Sequence, residues 1–324
     1  MVGSCPPAHL QPSQSDMIPD SVSSFYLGLD GGGSMLRAML ADCTLKPIRQ
    51  IRHPRSVNLA TLGYDEVRAR LFAALDDVLQ SQEVAQVRAC CVGLAGAEQH
   101  LDWLRAVLGE RLPNVPVVAV NDGEIALVGA HGRREGALIL AGTGSIGYAI
   151  TPQGDSYFVG GWGYLLDDEG SGFWLGKQAL RLLARCADEG RLDVRTERIM
   201  QTMGIQAARQ LISWAYDEHP FTARKIASLA VLVLELAQAG DQWATQVVEA
   251  AAQSLLKMAD NLATRWPGQA MPIALVGGLL EHDTLLRQRL LELLHQRDYT
   301  IREAPLHSPL EGAVWLARHL YPCK

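Results

Sequence analysis

The sequence predicts an α/β fold of two similar halves facing a cleft. Three observations predict it. A strand, a glycine turn and a second strand stand near the start, as FYLGLD, Asp30–Ser34 and MLRAMLAD. The same unit returns after Gly136, with ALILAGTGS running into IGYAITPQG. The chain of 324 residues is 48% hydrophobic and 20% charged, enough for one large globular domain or two ordinary ones.

The elements follow in order. Pro47 to Arg55 reads as a third antiparallel strand. Val67, Leu71, Leu75 and Val78 with Leu79 mark one helix face. VRACCVGLAG is a buried strand ending in small residues, Asp102 to Leu112 a helix, VPVVAVND a strand, and Glu124 to Ala130 a short helix. The second half adds SYFVGG as a strand and long helices over Ser171 to Ala187 and Asp241 to Arg265. PIALVGGLL is a strand running into a turn, Asp283 to His295 a helix, YTIREAP a last strand and Pro309 to His319 a closing helix. The expected division is a disordered tail over 1–24, a first half over 25–130 and a second over 131–307. The cleft between the halves is the expected ligand site.

Bulk properties exclude several classes. A net charge of −6 provides no general basic field for nucleic acid or an anionic membrane. The six cysteines are scattered without a C-x-x-C pair, which argues against a disulfide framework or a zinc site. No run approaches the ~20 apolar residues of a membrane span. The first 24 residues lack the basic start and apolar block of a secretory signal, so the cytoplasm is the default location.

Five motifs carry chemistry. Asp30-Gly31-Gly32-Gly33-Ser34 leaves backbone N–H groups unobstructed and allows positive φ, so the turn can wrap phosphate oxygens. A strand follows it, which excludes the nucleotide loops that open a helix. Asp30 ends an apolar strand, where a carboxylate suits Mg²⁺ held through water. A plain glycine-rich hairpin accounts for the same letters about as well. Gly142-Thr143-Gly144-Ser145 is weak alone but gains weight from its equivalent place in a second half. Two facing turns can clamp one triphosphate. Asp122 ends a strand at the edge of the cleft and can accept a proton from a sugar hydroxyl; capping the next helix is the competing role. Gly160 to Gly172 combines glycines, Trp162 and the carboxylates Asp167, Asp168 and Glu169 in a polar loop. There, Asp168 or Ser171 starting the next helix is the plainer alternative. Gly277-Gly278 ends a strand and allows close backbone approach to a ring or ribose, or forms a simple turn.

In this order, the motifs resemble the N-acetylglucosamine kinase and bacterial glucosamine kinase group of the BadF/BadG/BcrA/BcrD-type ATPases, in the sugar kinase, heat-shock ATPase and actin superfamily. The resemblance runs from about Tyr26 to Ala317 and includes the long motifs GLAGAEQ and GGWGYLLDDEGSGFWLG. It implies two duplicated actin-like (ribonuclease H-like) domains, ATP with Mg²⁺, and phosphorylation of the 6-hydroxyl of N-acetylglucosamine. By resemblance, Asp30 to Ser34 and Gly142 to Ser145 are the phosphate loops and Asp122 is the catalytic base. Asn58, Gly161, Trp162, Gly163 and Asp168 bind the sugar. Gly277 and Gly278 meet adenosine, Ala227 the adenine, and the closing helix over 308–321 packs back on the first half.

Ser34 replaces the group's usual Thr and keeps its hydroxyl; Met35 and Leu36 stand where polar or basic residues are common and belong to the hairpin's core face. GLAGAEQ and DDEGSGFWLG are similar to glucosamine kinases and GGWG to N-acetylglucosamine kinases, and Trp162 favours the acetylated sugar. Glucosamine and N-acetylmuramic acid are the alternatives. A reductase-activating ATPase would need cluster cysteines at a subunit junction, and a sugar-sensing regulator a helix-turn-helix and a basic face. Neither is visible. A homodimer is expected.

Overall fold

A computed structural model of the chain describes residues 24–216, 223–268, 270–297 and 299–323. The tail expected over 1–24 lies, but for Ser24, outside the described residues.

The first sheet contains β1 (Phe25–Gly31), β2 (Leu36–Asp42), β3 (Pro47–His53), β4 (Val87–Leu94) and β5 (Val117–Asn121), with α1 (Tyr64–Val78), α2 (Leu101–Arg111) and α3 (Asp122–His131) between or after them. Its order is β3-β2-β1-β4-β5. β1, β2 and β3 form an antiparallel meander, and β4 and β5 add in parallel beside β1. The second sheet repeats the plan with β6 (Gly136–Ala141), β7 (Ser145–Ile150), β8 (Ser156–Gly160), β9 (Pro272–Val276) and β10 (Thr300–Arg302). Its order is β10-β9-β6-β7-β8, again a meander with two parallel strands added beside the first. The duplication is thus one of topology.

β1 and β4 read as nearly continuous apolar runs because both faces of their sheet are covered. Leu27, Leu29, Cys90 and Val92 face a core shared with α1 and α2. Tyr26 and Cys91 face the other way, onto α3 and the last helix, α11 (Pro309–Leu320). Of the two residues expected on the hairpin's core face, Leu36 is buried and Met35 only half-buried.

Helices α4 (Gly172–Asp188), α5 (Val194–Met203), α6 (Leu211–Tyr216), α7 (Ala223–Ala227), α8 (Ala230–Gln238), α9 (Gln242–Ala263) and α10 (Leu285–His295) complete the second half. The letters between α4 and α9 conceal their helices. AVLVLELAQ in α8 is apolar almost all round, which erases the helical period. α5 is short and depends on an Asp193–Thr196 capping box.

Helix α3 links the halves. Gly123 to His131 are all buried. Ile125 and Val128 pack with α11 on the first sheet, while Ala126, Leu127 and Ala130 pack on Leu138, Tyr148 and Val276 of the second. A Cβ on Gly312 of α11 would lie 2.1 Å from the Ile125 carbonyl oxygen, so the helices cross with no room for a side chain.

Candidate active site

The parallel strands of each sheet end at one edge. Asp30 lies opposite Gly93 and Gly31 opposite Leu94, which in turn lies opposite Asn121. The first glycine turn, the loop after β4 and Asp122 therefore emerge side by side. In the second sheet Leu140 is level with Val276, so Gly142 and Gly277 emerge together. Such strand ends are where open α/β sheets place ligands. Between the two edges lies a cleft of about 1090 Å³, lined by Gly33, Ser34, Asn58, Asp122, Thr143, Gly144, Ser145 and Asp168 among others.

The glycines of the two turns do not use the positive φ that the sequence reading allowed them. None of Gly31, Gly32, Gly33, Gly142 and Gly144 adopts a left-handed φ. Close packing is the requirement at two of them. A Cβ on Gly31 would meet Val57 Cγ2 at 2.3 Å and Leu94 Cδ2 at 2.4 Å, and one on Gly144 would meet Asp168 Oδ2 at 2.8 Å. Gly31 is buried at the end of β1 and is not among the lining residues; Gly32, Gly33 and Gly142 face open space. Gly32 is held by hydrogen bonds from its N–H to the Met35 carbonyl and from the Val57 N–H to its own carbonyl. Left-handed backbone occurs instead at Gly160, Gly161, Gly163, Gly170, Gly277 and the non-glycine Asp168.

Helix α3 is capped by Asn121, whose side chain accepts the Glu124 N–H at 2.8 Å. Asp122 is thereby freed from the capping role and lines the cleft. Its carboxyl is pushed up to about 7, first by burial and then by the charges of Asp30 and Glu98. Asp30 is buried, and burial raises its carboxyl while Arg37 opposes the rise. Its Oδ2 lies 2.8 Å from Arg37 Nη2 in an ion pair, yet lacks an aligned hydrogen-bond donor. A buried carboxylate short of donors, with a second carboxylate near it, fits Mg²⁺, which binds through few protein oxygens and keeps several waters. No group of three or more His, Cys, Asp or Glu placed to hold a metal ion occurs among the described residues.

The predicted sugar residues divide between two hollows. Asn58 and Asp168 line the cleft. Asn58 Oδ1 accepts the Ala60 N–H at 2.8 Å in a local turn, and Gly96, with φ of 70°, leaves room for it. Asp168 is buried, and its Oδ1 accepts the Ser145 N–H at 3.1 Å. Ser171, not Asp168, caps α4. Trp162 lines an adjoining hollow of about 940 Å³, Gly161 lines both, and Gly163 neither. Ala227, Gly277 and Gly278 are outside the lining of both hollows. Ala227 lies beside Gly172, whose N–H donates to the Gly142 carbonyl, and Gly277 presses on the Ala141 carbonyl. Both thus stand behind the second turn.

Three charged residues lining the cleft have no role in the sequence reading. Glu98 of GLAGAEQ borders both hollows. Its place just after a buried strand that ends in small residues is a usable signal. Arg224 and Lys225 of α7 are the basic residues lining the cleft. Lys225 Nζ donates to the Trp214 carbonyl at 3.0 Å and sits 4.4 Å from the centre of that indole. Nothing in their local sequence places them opposite β1.

Two sheets of one topology, facing across glycine turns, define the protein as an actin-like ATPase of two α/β halves. The chain belongs to the BadF/BadG/BcrA/BcrD ATPase family, whose model matches residues 27–317, and use of ATP follows from that membership. It is 28% identical over 282 residues to an N-acetyl-D-glucosamine kinase of Dictyostelium discoideum, covering 81% of this chain and 87% of that protein. An N-acetylmuramic acid/N-acetylglucosamine kinase of Clostridium acetobutylicum is 29% identical over 71% of this chain and 76% of its own. The crystal structure of a Chromobacterium violaceum protein provisionally assigned as an N-acetylglucosamine kinase superposes with a TM-score of 0.71. It is 26% identical and covers 91% of this chain and 99% of that one. No helix among the described residues is long and apolar enough to cross a membrane.

Proposed function

We propose that the protein is an ATP-dependent amino-sugar kinase that phosphorylates the 6-hydroxyl of N-acetylglucosamine. The observation that carries this reading is Asp122, released from helix capping by Asn121 and set in a cleft whose other wall is the second glycine turn. The relatives named above supply the substrate class.

In this reading ATP lies across the cleft between Gly33–Ser34 and Thr143–Ser145, with adenosine towards Ala227, Gly277 and Gly278. Asp30 would hold Mg²⁺ through water, and the ion supplies charge neutralisation at the phosphates. The sugar sits beside Asn58, Asp168 and the Gly161–Gly163 loop with its 6-hydroxyl at Asp122. Asp122 takes the hydroxyl proton as the oxygen attacks the γ-phosphorus, the bond from the γ-phosphorus to the bridging oxygen breaks, and ADP leaves. A carboxylate titrating near neutrality is matched to that task. Closure of the halves excludes water from the reacting groups. The halves themselves are read as 25–130 and 131–307, with the segment over 308–321 belonging to the first.

Cys90 and Cys91 are fully buried in β4 and burial raises both thiols, which disfavours the alternative of a cluster-bearing reductase activator. A homodimer working in the cytoplasm completes the reading, and light scattering on the purified chain tests the dimer. The main test is ADP release with Mg·ATP and N-acetylglucosamine, glucosamine, N-acetylmuramic acid, N-acetylmannosamine or glucose, beside a control without sugar. Release stimulated mainly by N-acetylglucosamine supports the proposal, and stimulation mainly by another amino sugar reassigns the substrate. Release that ignores every sugar overturns it.

A further inference from the structure

The hollow beside the cleft is large, and beyond its Gly161–Trp162 edge the reaction leaves it unused. Its volume is about 940 Å³, itself enough for a drug-sized ligand. It shares Glu98, Ile146, Phe158 and Gly161 with the cleft, so the two spaces adjoin.

Its floor is one face of α9. Ser254, Lys257, Asn261 and Thr264 recur at intervals of three and four residues, which places them in a row. Its rim is the loop after β8. Gly160 and Gly161 take left-handed φ, and a Cβ on Gly161 would lie 2.4 Å from Ile146 Cδ1. The loop backbone is therefore pressed down while its side chains project. Trp162 is 75% exposed, Leu165 82% and Leu166 81%. Large apolar side chains exposed together mark a binding surface.

The chemistry narrows the ligand. Lys257 and Arg265 are outnumbered by Glu98, Asp167 and Glu169 around the same space. Arg265 is further engaged over the Tyr157 ring at 4.1 Å, and Glu169 accepts the Ser254 hydroxyl at 3.2 Å. Such a wall, with carboxylates in excess, does not attract a second phosphate group. It offers an indole face and many short-range donors and acceptors, which suits a neutral polyhydroxylated ring.

We propose that this hollow is a subsite for a second hexosamine ring, joined by a glycosidic bond to the ring held in the cleft. The proposal rests on the amino-sugar reading of the cleft. The bound ligand would then be at least a disaccharide, with one ring beside Asn58 and Asp168 and the next between Trp162 and Asn261.

The test compares N-acetylglucosamine with its β-1,4-linked disaccharide in binding and in ADP release. Binding is followed by calorimetry, so it needs no turnover. The disaccharide is expected to bind about tenfold more tightly than the monosaccharide, the scale of one or two added hydrogen bonds. Asn261→Ala and Lys257→Ala, both on the exposed face of α9, are expected to abolish that advantage. They should leave the monosaccharide KM and the ATP KM within about twofold. A disaccharide that binds no better than the monosaccharide overturns the subsite, as do variants that weaken both sugars equally or change the mass of the protein in solution. Failure of the kinase reading is separable: tight disaccharide binding without phosphorylation of any sugar removes that reading and leaves the subsite standing.

Discussion

The Asp168 carboxylate lies against Gly144 and accepts the Ser145 backbone N–H at 3.1 Å, so a residue of the loop after β8 shapes the second glycine turn. Asp168 does so from a left-handed backbone, φ 68°, which a non-glycine residue adopts at a cost and which Asp and Asn tolerate best.

Asp168 is therefore expected to govern ATP binding as well as sugar binding. Asp168→Asn keeps an acceptor for Ser145 and tolerates the backbone, so its ATP KM should stay within about threefold of the wild type while the sugar KM rises. Asp168→Ala loses the acceptor and should raise both, the ATP KM by about tenfold. Steady-state kinetics with each substrate varied in turn makes the comparison. Equal ATP KM values for the wild type and both variants would detach Asp168 from the turn.

Asp122→Asn should cut kcat by about 10² or more with the sugar KM within a few-fold. The wild-type kcat/KM should fall as pH drops below about 7, where the raised carboxyl takes up a proton. Stability carries the opposite sign. The folded carboxyl titrates above its ordinary value of 3.8, so between 3.8 and about 7 the native state holds a proton that the unfolded chain has released. Its contribution to stability is full at low pH and is lost as pH rises to about 7. Asp122→Asn removes that loss, so in metal-free buffer the variant should melt a few degrees above the wild type at pH 8 and level with it at pH 4. Melting curves at the two pH values decide it.

Two glycines of one turn should give different phenotypes. Gly31→Val forces a side chain into Val57 and Leu94 and should destabilise the first half, read as a lower Tm or loss of soluble protein. Gly33→Val meets open space, so the fold should survive while the ATP KM rises by about tenfold or more. Matching Tm values for both variants would contradict the packing assigned to Gly31.

Arg224→Gln removes a cation from a cleft that the carboxylates Asp122, Asp168 and Glu98 also line. A triphosphate needs that charge and an adenosine does not. The variant should bind ATP about tenfold more weakly and adenosine unchanged, measured by calorimetry. Equal losses for both ligands would assign Arg224 a structural role.

Much of this was legible in the letters. The two glycine turns, the meanders they begin and the parallel strands that follow are local features, set by turn chemistry and by runs apolar on both faces. α3 was legible as a helix but not as the element between the halves, because that depends on which surfaces meet its two sides. α5 and α8 were missed: one is short, and the other is apolar all round and has no period to read.

The sequence by itself determined the order of the strands, the duplicated plan, the motifs at the strand ends and the family. It did so because strands, turns and caps answer to residues only a few places apart. Only the tertiary structure decided that Gly31 and Gly144 are glycines for lack of space and that Asp168 holds Ser145 across 23 positions. It likewise brought Glu98, Arg224 and Lys225 to the cleft and set Trp162 beside it. Those meetings join segments far apart in the chain, which no local pattern brings together.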